Sequence, residues 1–284
     1  MSLVKLFLLI FVVACGTKKS NLKSSGNMWV HPSEVLSASI VLVFNKSLMG
    51  GYCSGALIED SLDETSAFIL TAAHCLEQDN ASGKNHYLVR LGNRPAYLNS
   101  EERAYKEEIE VSDYVTSPSI PIKLEFWVGH DLALLKLKRR PKLPQRYFLP
   151  LIKGSDKDLK YDQVWVAGYG YNYPGITLKK YPQKVFNYSK IQNLIWISSI
   201  VGNIIAGDSG GPLLVRNEEG NYEVLGVNSF GFAYFRKIHL SLNAAVDVRT
   251  KEPWLICAKE FLKNKEVKTN NHCHSKDFKY VAMD

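Results

Sequence analysis

A serine with glycines close by on both sides, in Gly207-Asp208-Ser209-Gly210-Gly211-Pro212-Leu213, constrains this chain more than any other stretch. Glycine lets the backbone come close and turn its N–H groups toward a developing negative charge, as a site built around a nucleophile requires. The stretch therefore points to a hydrolase. A serine hydroxyl is a weak nucleophile at neutral pH, so a base and a group that orients the base must stand elsewhere in the chain. His74 is the candidate base: Leu70-Thr71-Ala72-Ala73-His74-Cys75 follows the apolar run Ala67-Phe68-Ile69-Leu70, which reads as a buried strand ending in a small-residue turn. Asp131 is the candidate orienter, a carboxylate opening the largely apolar strand of His130-Asp131-Leu132-Ala133-Leu134-Leu135-Lys136-Leu137. Singly, each has a plainer reading: a loop histidine, an edge charge, a tight glycine turn. Their joint occurrence in the order His, Asp, Ser selects the catalytic one.

These three signatures resemble those of the trypsin/chymotrypsin-like serine peptidases. The likeness extends to Cys53-Ser54-Gly55-Ala56-Leu57-Ile58, Val89-Arg90-Leu91-Gly92, Val166-Ala167-Gly168-Tyr169-Gly170 and Leu225-Gly226-Val227-Asn228-Ser229-Phe230-Gly231, and so runs from about Asn27 to Leu255. The resemblance implies an all-β fold of two packed antiparallel β-barrels with the cleft between them. Short apolar strands separated by Gly, Pro, Asn and Ser clusters agree with it, and a helical segment is expected around Pro253–Lys265. The implied divisions are a leader at 1–14, a tether at 15–27, a first barrel at 28–145 holding His74 and Asp131, a second at 146–255 holding Ser209, and a helix and extension at 256–284.

The resemblance also implies roles. Ser209 attacks the scissile carbonyl, His74 takes its proton and returns it to the leaving amine, and Asp131 holds the histidine tautomer. The N–H groups of Gly207 and Ser209 form the oxyanion hole. Ser229, Phe230 and Gly231 line the cleft and pair with an extended substrate, with Ser229 also facing Asp131. Asn203, six residues before the nucleophile, is the expected floor of the primary pocket. A neutral amide there disfavours cleavage after lysine or arginine. Ile205 replaces a cysteine that commonly brackets this pocket, and Asn228 is not the histidine of glutamate-selective relatives.

Relatives made as zymogens are activated when a newly cut N-terminus pairs with the aspartate before the nucleophile, here Asp208. Around Asn27-Met28-Trp29-Val30 no glycine-bearing start of the usual kind exists. Three outcomes follow: a cut near Met28 by a processing protease, a different internal partner for Asp208, or a cleft left incompletely formed. The expectation taken forward is a cut between Gly26 and Val30.

The first fourteen residues read as an export signal, with Lys5 as the positive flank, Leu6–Val13 as the apolar core and Ala14 before the cleavage point. Val12-Val13-Ala14-Cys15-Gly16 resembles a bacterial lipoprotein signal in which Cys15 is acylated, tying the protein to the envelope membrane, periplasmic or outer. Secretion after Ala14 is the alternative. Of five cysteines, four then remain for an oxidising compartment. The family resemblance pairs Cys53 with Cys75, which leaves Cys257 and Cys273 as the second pair, fastening a C-terminal extension.

No cofactor is expected. His272-Cys273-His274 lacks a second cluster of metal-ligand spacing, and Glu101, Glu102, Glu107, Glu108 and Glu110 read as a solvated face. The net charge of +7 is spread over scattered lysines and arginines without a nucleic-acid-binding motif. The expected partner is a polypeptide substrate. The competing function is a catalytically silent binding module built on the same barrels.

Overall fold

A computed structural model describes residues 30–31, 33–46, 52–59, 66–76, 86–92, 107–117, 129–153, 161, 163–170, 177–189, 192–199, 204–235, 240–264, 273 and 279–282. The leader, the tether, Cys15, Glu101, Glu102, Asn203, His272 and His274 lie outside these residues.

The first barrel comprises β1 (Ile40–Asn45), β2 (Tyr52–Ile58), β3 (Phe68–Thr71), β4 (Tyr87–Leu91), β5 (Glu107–Thr116) and β6 (Ala133–Leu137). They pair antiparallel in the order β5-β4-β1-β2-β3-β6, and β6 returns to β5 to close the ring. The second barrel comprises β7 (Val164–Gly168), β8 (Lys179–Ser189), β9 (Leu194–Ser199), β10 (Pro212–Arg216), β11 (Tyr222–Phe235) and β12 (Leu240–Asp247), closed in the order β10-β11-β12-β9-β8-β7. The expected architecture of two antiparallel barrels and one C-terminal helix is the architecture found.

The apolar runs mark the strands that are covered on both faces. β4 alternates buried and half-buried residues, as a strand with one face toward water does. β3 is buried at every position, and β6 at all but Lys136, because one face fills the barrel and the other is covered. One continuous apolar cluster joins Val41, Leu57, Leu70 and Leu134 of the first barrel to Ala167, Leu214 and Val227 of the second. Val164, Val166, Ile195, Leu213 and Leu225 form a separate core inside the second barrel.

The C-terminal helix, Glu252–Asn264, begins one residue before the expected Pro253 and ends one short of Lys265. Leu255, Ala258 and Leu262 recur on one buried face. The helix docks on the first barrel, where Lys136 Nζ donates to Leu262 O (3.0 Å) and Lys259 Nζ to Glu59 O (2.8 Å). A disulfide joins Cys257 to Cys273. A last strand, β13 (Lys279–Ala282), then adds to β5, with Tyr280 donating its hydroxyl to Asp113 Oδ1 at 2.8 Å. Among the described residues no helix is long and apolar enough to cross a membrane.

Candidate active site

His74 sits in a 3-10 turn, Ala73–Cys75, directly after β3. The Cys53–Cys75 disulfide ties that turn to β2. β6 pairs with β3 so that Ala133 stands opposite Thr71, which brings Asp131, just ahead of β6, alongside the histidine turn. Asp131 is 2% exposed. Its Oδ1 accepts the His74 backbone N–H at 2.9 Å, its Oδ2 accepts from His74 Nδ1 at 2.7 Å, and Ser229 Oγ donates to the same Oδ2. Three donors offset the cost of burying the carboxylate. A carboxylate accepts, so Nδ1 carries the proton of this bond; in the neutral imidazole Nε2 is then the acceptor, as a general base requires.

Ser229 reaches Asp131 because β11 is irregular at that point. Asn228 pairs with Ala245 and Phe230 with Ala244, so Ser229 is the extra residue of a bulge. Such bulges re-aim one side chain beside a site. Phe230 packs edge-on against Trp196 with ring centroids 5.8 Å apart. Gly231 lies where a Cβ would meet Asn243 Oδ1 at 2.5 Å.

The Ser209 turn is held mainly by backbone. Gly207 and Gly210 have φ of +94° and +77°, a region that side chains disfavour. At Gly210 a Cβ would stand 2.1 Å from Thr71 Oγ1, 2.4 Å from Ser54 O and 3.0 Å from Ala72 N. Glycine therefore lets this turn press against the end of β3, three residues before His74. Ser54 stitches the barrels together: its Oγ donates to Gly207 O (2.7 Å) and accepts from Tyr169 N–H (2.8 Å), while its N–H donates to Ser209 O (2.8 Å). Thr71 Oγ1 donates to Ser54 O at 2.7 Å, and Gly210 N–H to Asn228 O at 2.8 Å.

Asp208, fully buried, accepts Gly170 N–H on Oδ1 at 2.7 Å and Ile205 N–H on Oδ2 at 3.0 Å. Burial pushes its carboxyl up to about 6, against the pull of those two N–H groups and of the Lys179 charge.

The structure thus joins His74, Asp131 and Ser229 by side-chain hydrogen bonds and brings the Ser209 turn to them through Ser54 and Thr71. Among the described hydrogen bonds Ser209 Oγ and His74 Nε2 are not partners; Nε2 lies 3.9 Å from Cys75 Sγ. The sulfur atoms of Cys53 and Cys75 come near His74, but both are spent in the disulfide and offer no thiolate to a metal. Glu107, Glu108 and Glu110 pair with Arg139, Arg90 and Lys138. The Lys138 hydrogen bond holds the exposed Glu110 carboxyl below its usual range.

Sequence reading assigned no role to Ser54 or Thr71, although both stand within its motifs. A lone hydroxyl in an apolar strand carries no mark distinguishing an inter-barrel donor from an ordinary strand residue.

The family model described as Trypsin matches residues 37–255. Chymotrypsin-C of Bos taurus is 29% identical over 204 residues, covering 63% of this chain and 67% of that protein. Chymotrypsin-C of Rattus norvegicus is 28% identical over 220 residues, 72% of this chain and 76% of that protein. Chymotrypsin-like elastase family member 3A of Homo sapiens is 27% identical over 256 residues, 80% of this chain and 87% of that protein.

Proposed function

The chain belongs to the trypsin family, and on that premise we propose that it is a serine endopeptidase with Ser209 as nucleophile, His74 as general base and Asp131 as orienting carboxylate. The observation that carries this reading is the His74–Asp131 pair, two hydrogen bonds to one buried carboxylate beside a glycine-framed serine. Ser209 Oγ bonds to the scissile carbonyl carbon as its proton passes to His74 Nε2. The C–N bond then breaks, the proton goes to the departing amine, and the acyl group stays on Ser209 until water, deprotonated by the same nitrogen, releases it. Asp131 stabilises the imidazolium throughout.

Support for the oxyanion hole comes from the turn's own hydrogen bonds. The amides of Asp208, Gly210 and Gly211 donate to Ile205 O, Asn228 O and Asp208 O. Among the described residues those of Gly207 and Ser209 have no such acceptor, and each such donor typically lowers the barrier by about 3 kcal/mol. The substrate lies extended along Ser229, Phe230 and Gly231, with Asn203 at the floor of its primary pocket. Export with acylation at Cys15 completes the reading, and two disulfides suit that oxidising destination.

A fluorophosphonate probe on the purified protein tests it. Labelling of the wild type that vanishes in Ser209→Ala is expected. A folded wild type that takes no label would leave the barrels as a binding module.

A further inference from the structure

Lys179 opens β8 and is only 7% exposed, a place where an ammonium is costly without an opposite charge nearby. In the β7–β8 pair it stands directly opposite Gly168. Directly opposed residues of an antiparallel pair project to the same face of the sheet. Gly168 identifies that face: a Cβ there would lie 2.6 Å from Asp208 Oδ1, and one on Gly170, two residues along, 2.5 Å from Oδ2. The Lys179 stem therefore leaves the sheet on the side that holds the Asp208 carboxylate. Opposed Cβ positions are about 5 Å apart, a distance the flexible four-carbon stem of lysine can span.

The approach of the N-terminal segment adds a second observation. Val30 is buried, and its amide donates to Leu178 O at 3.3 Å, one residue before Lys179. Val30 thus lies beside the start of β8 with its amide committed to a backbone carbonyl. The Asp208 oxygens accept from Gly170 and Ile205.

We propose that Lys179 is the built-in counter-charge of Asp208, a positioning residue that sets the Ser209 turn in the uncut chain without a newly cut amine reaching it. The two side chains act on each other accordingly. The Lys179 charge counters the upward push of burial on Asp208, and the Asp208 charge counters the downward push of burial on Lys179. Of the outcomes open to the sequence, the internal partner takes precedence over a cut between Gly26 and Val30. Its consequence for activity rests on Ser209 being the nucleophile, while the measurement below needs no activity.

Hydrogen exchange at the amides of Ile205, Asp208, Gly210 and Gly211 reads the order of the turn in the purified protein, whose N-terminus is established by mass spectrometry. Protection is expected in a chain that begins before Gly26. Lys179→Met should speed exchange at these amides by on the order of a hundredfold, because it leaves a buried carboxylate uncompensated. Adding Asp208→Asn should recover at least about tenfold of that loss, a coupling that a merely space-filling lysine does not produce. Wild-type protection in Lys179→Met overturns the proposal. So does a double variant no better ordered than the single one, or protection that appears only after a cut between Gly26 and Val30. If Lys179→Met fails to fold, the double variant decides: folding with a protected turn supports the proposal, and failure to fold overturns it.

Discussion

The first barrel holds its share of the site by side chains and a covalent bridge, whereas the second holds its share by glycine backbone and one buried charge. His74 is pinned by Asp131 through two hydrogen bonds and by the disulfide next to it in the chain. Ser209 sits in a turn whose shape depends on positive φ at Gly207 and Gly210 and on a carboxylate sealed behind it. Several independent ties should lose strength gradually when one is removed. A turn without room for a Cβ should fail abruptly.

The largest expected effect separates chemistry from architecture. With Ser209 as the nucleophile proposed above, Ser209→Ala should lower turnover by on the order of a million-fold, because a triad acts as a unit, while leaving the His74–Asp131 pair and the melting temperature nearly unchanged. Steady-state kinetics beside calorimetry checks both halves of that statement.

Gly210→Ala probes the backbone-held side. A left-handed φ and contacts of 2.1 and 2.4 Å should together cost about 4 kcal/mol. Gly220 is the control, with φ +84° and nothing within 4 Å of a Cβ, so Gly220→Ala should cost only about 1 kcal/mol. Equal costs in guanidinium denaturation would show that crowding at the barrel junction contributes nothing.

Removing the Cys53–Cys75 bridge by a double serine substitution should destabilise the protein by about 3 kcal/mol. In the folded remainder His74 should still be held by Asp131, so activity at low temperature should survive. Loss of activity without loss of stability would reverse the contrast between the barrels.

The buried Asp208 gives the second barrel a pH signature. Its carboxyl is raised from an ordinary value near 3.8 to about 6, so the folded state favours the protonated form. That contribution is complete below about pH 4 and disappears as the pH climbs through about 6. Between pH 7 and pH 4 the wild type should gain up to about 3 kcal/mol relative to Asp208→Asn. Parallel pH–stability curves for the two proteins would remove the buried charge from the account.

Ser229→Ala should have the smallest effect. It removes one of three donors from Asp131 and leaves both His74 bonds in place. A loss of about 1–2 kcal/mol in transition-state stabilisation is expected, visible in kcat/KM. A far larger loss would mean that the first barrel depends on the second for its own geometry.

Reading from particular residues shows where sequence sufficed. The apolar run before His74 and the one after Asp131 became β3 and β6, because burial on both faces leaves a local mark in composition. Ser229 against Asp131 was expected from a motif, but the bulge that aims it belongs to the pairing of β11 with β12. Lys179 and Lys180 are adjacent and identical in type. Only the pairing of β8 with β7 decides that the first is buried and the second half-buried.

The sequence alone therefore determined the all-β architecture, the order His74, Asp131, Ser209 and the glycines around the serine, because each is written in neighbouring residues. What it left to the tertiary structure are the contacts across distance: Ser54 bridging the barrels, β13 returning to β5, and the side of the sheet on which Lys179 emerges. Those depend on strand register and barrel closure, and a one-residue slip in either would turn the same side chains to the opposite face.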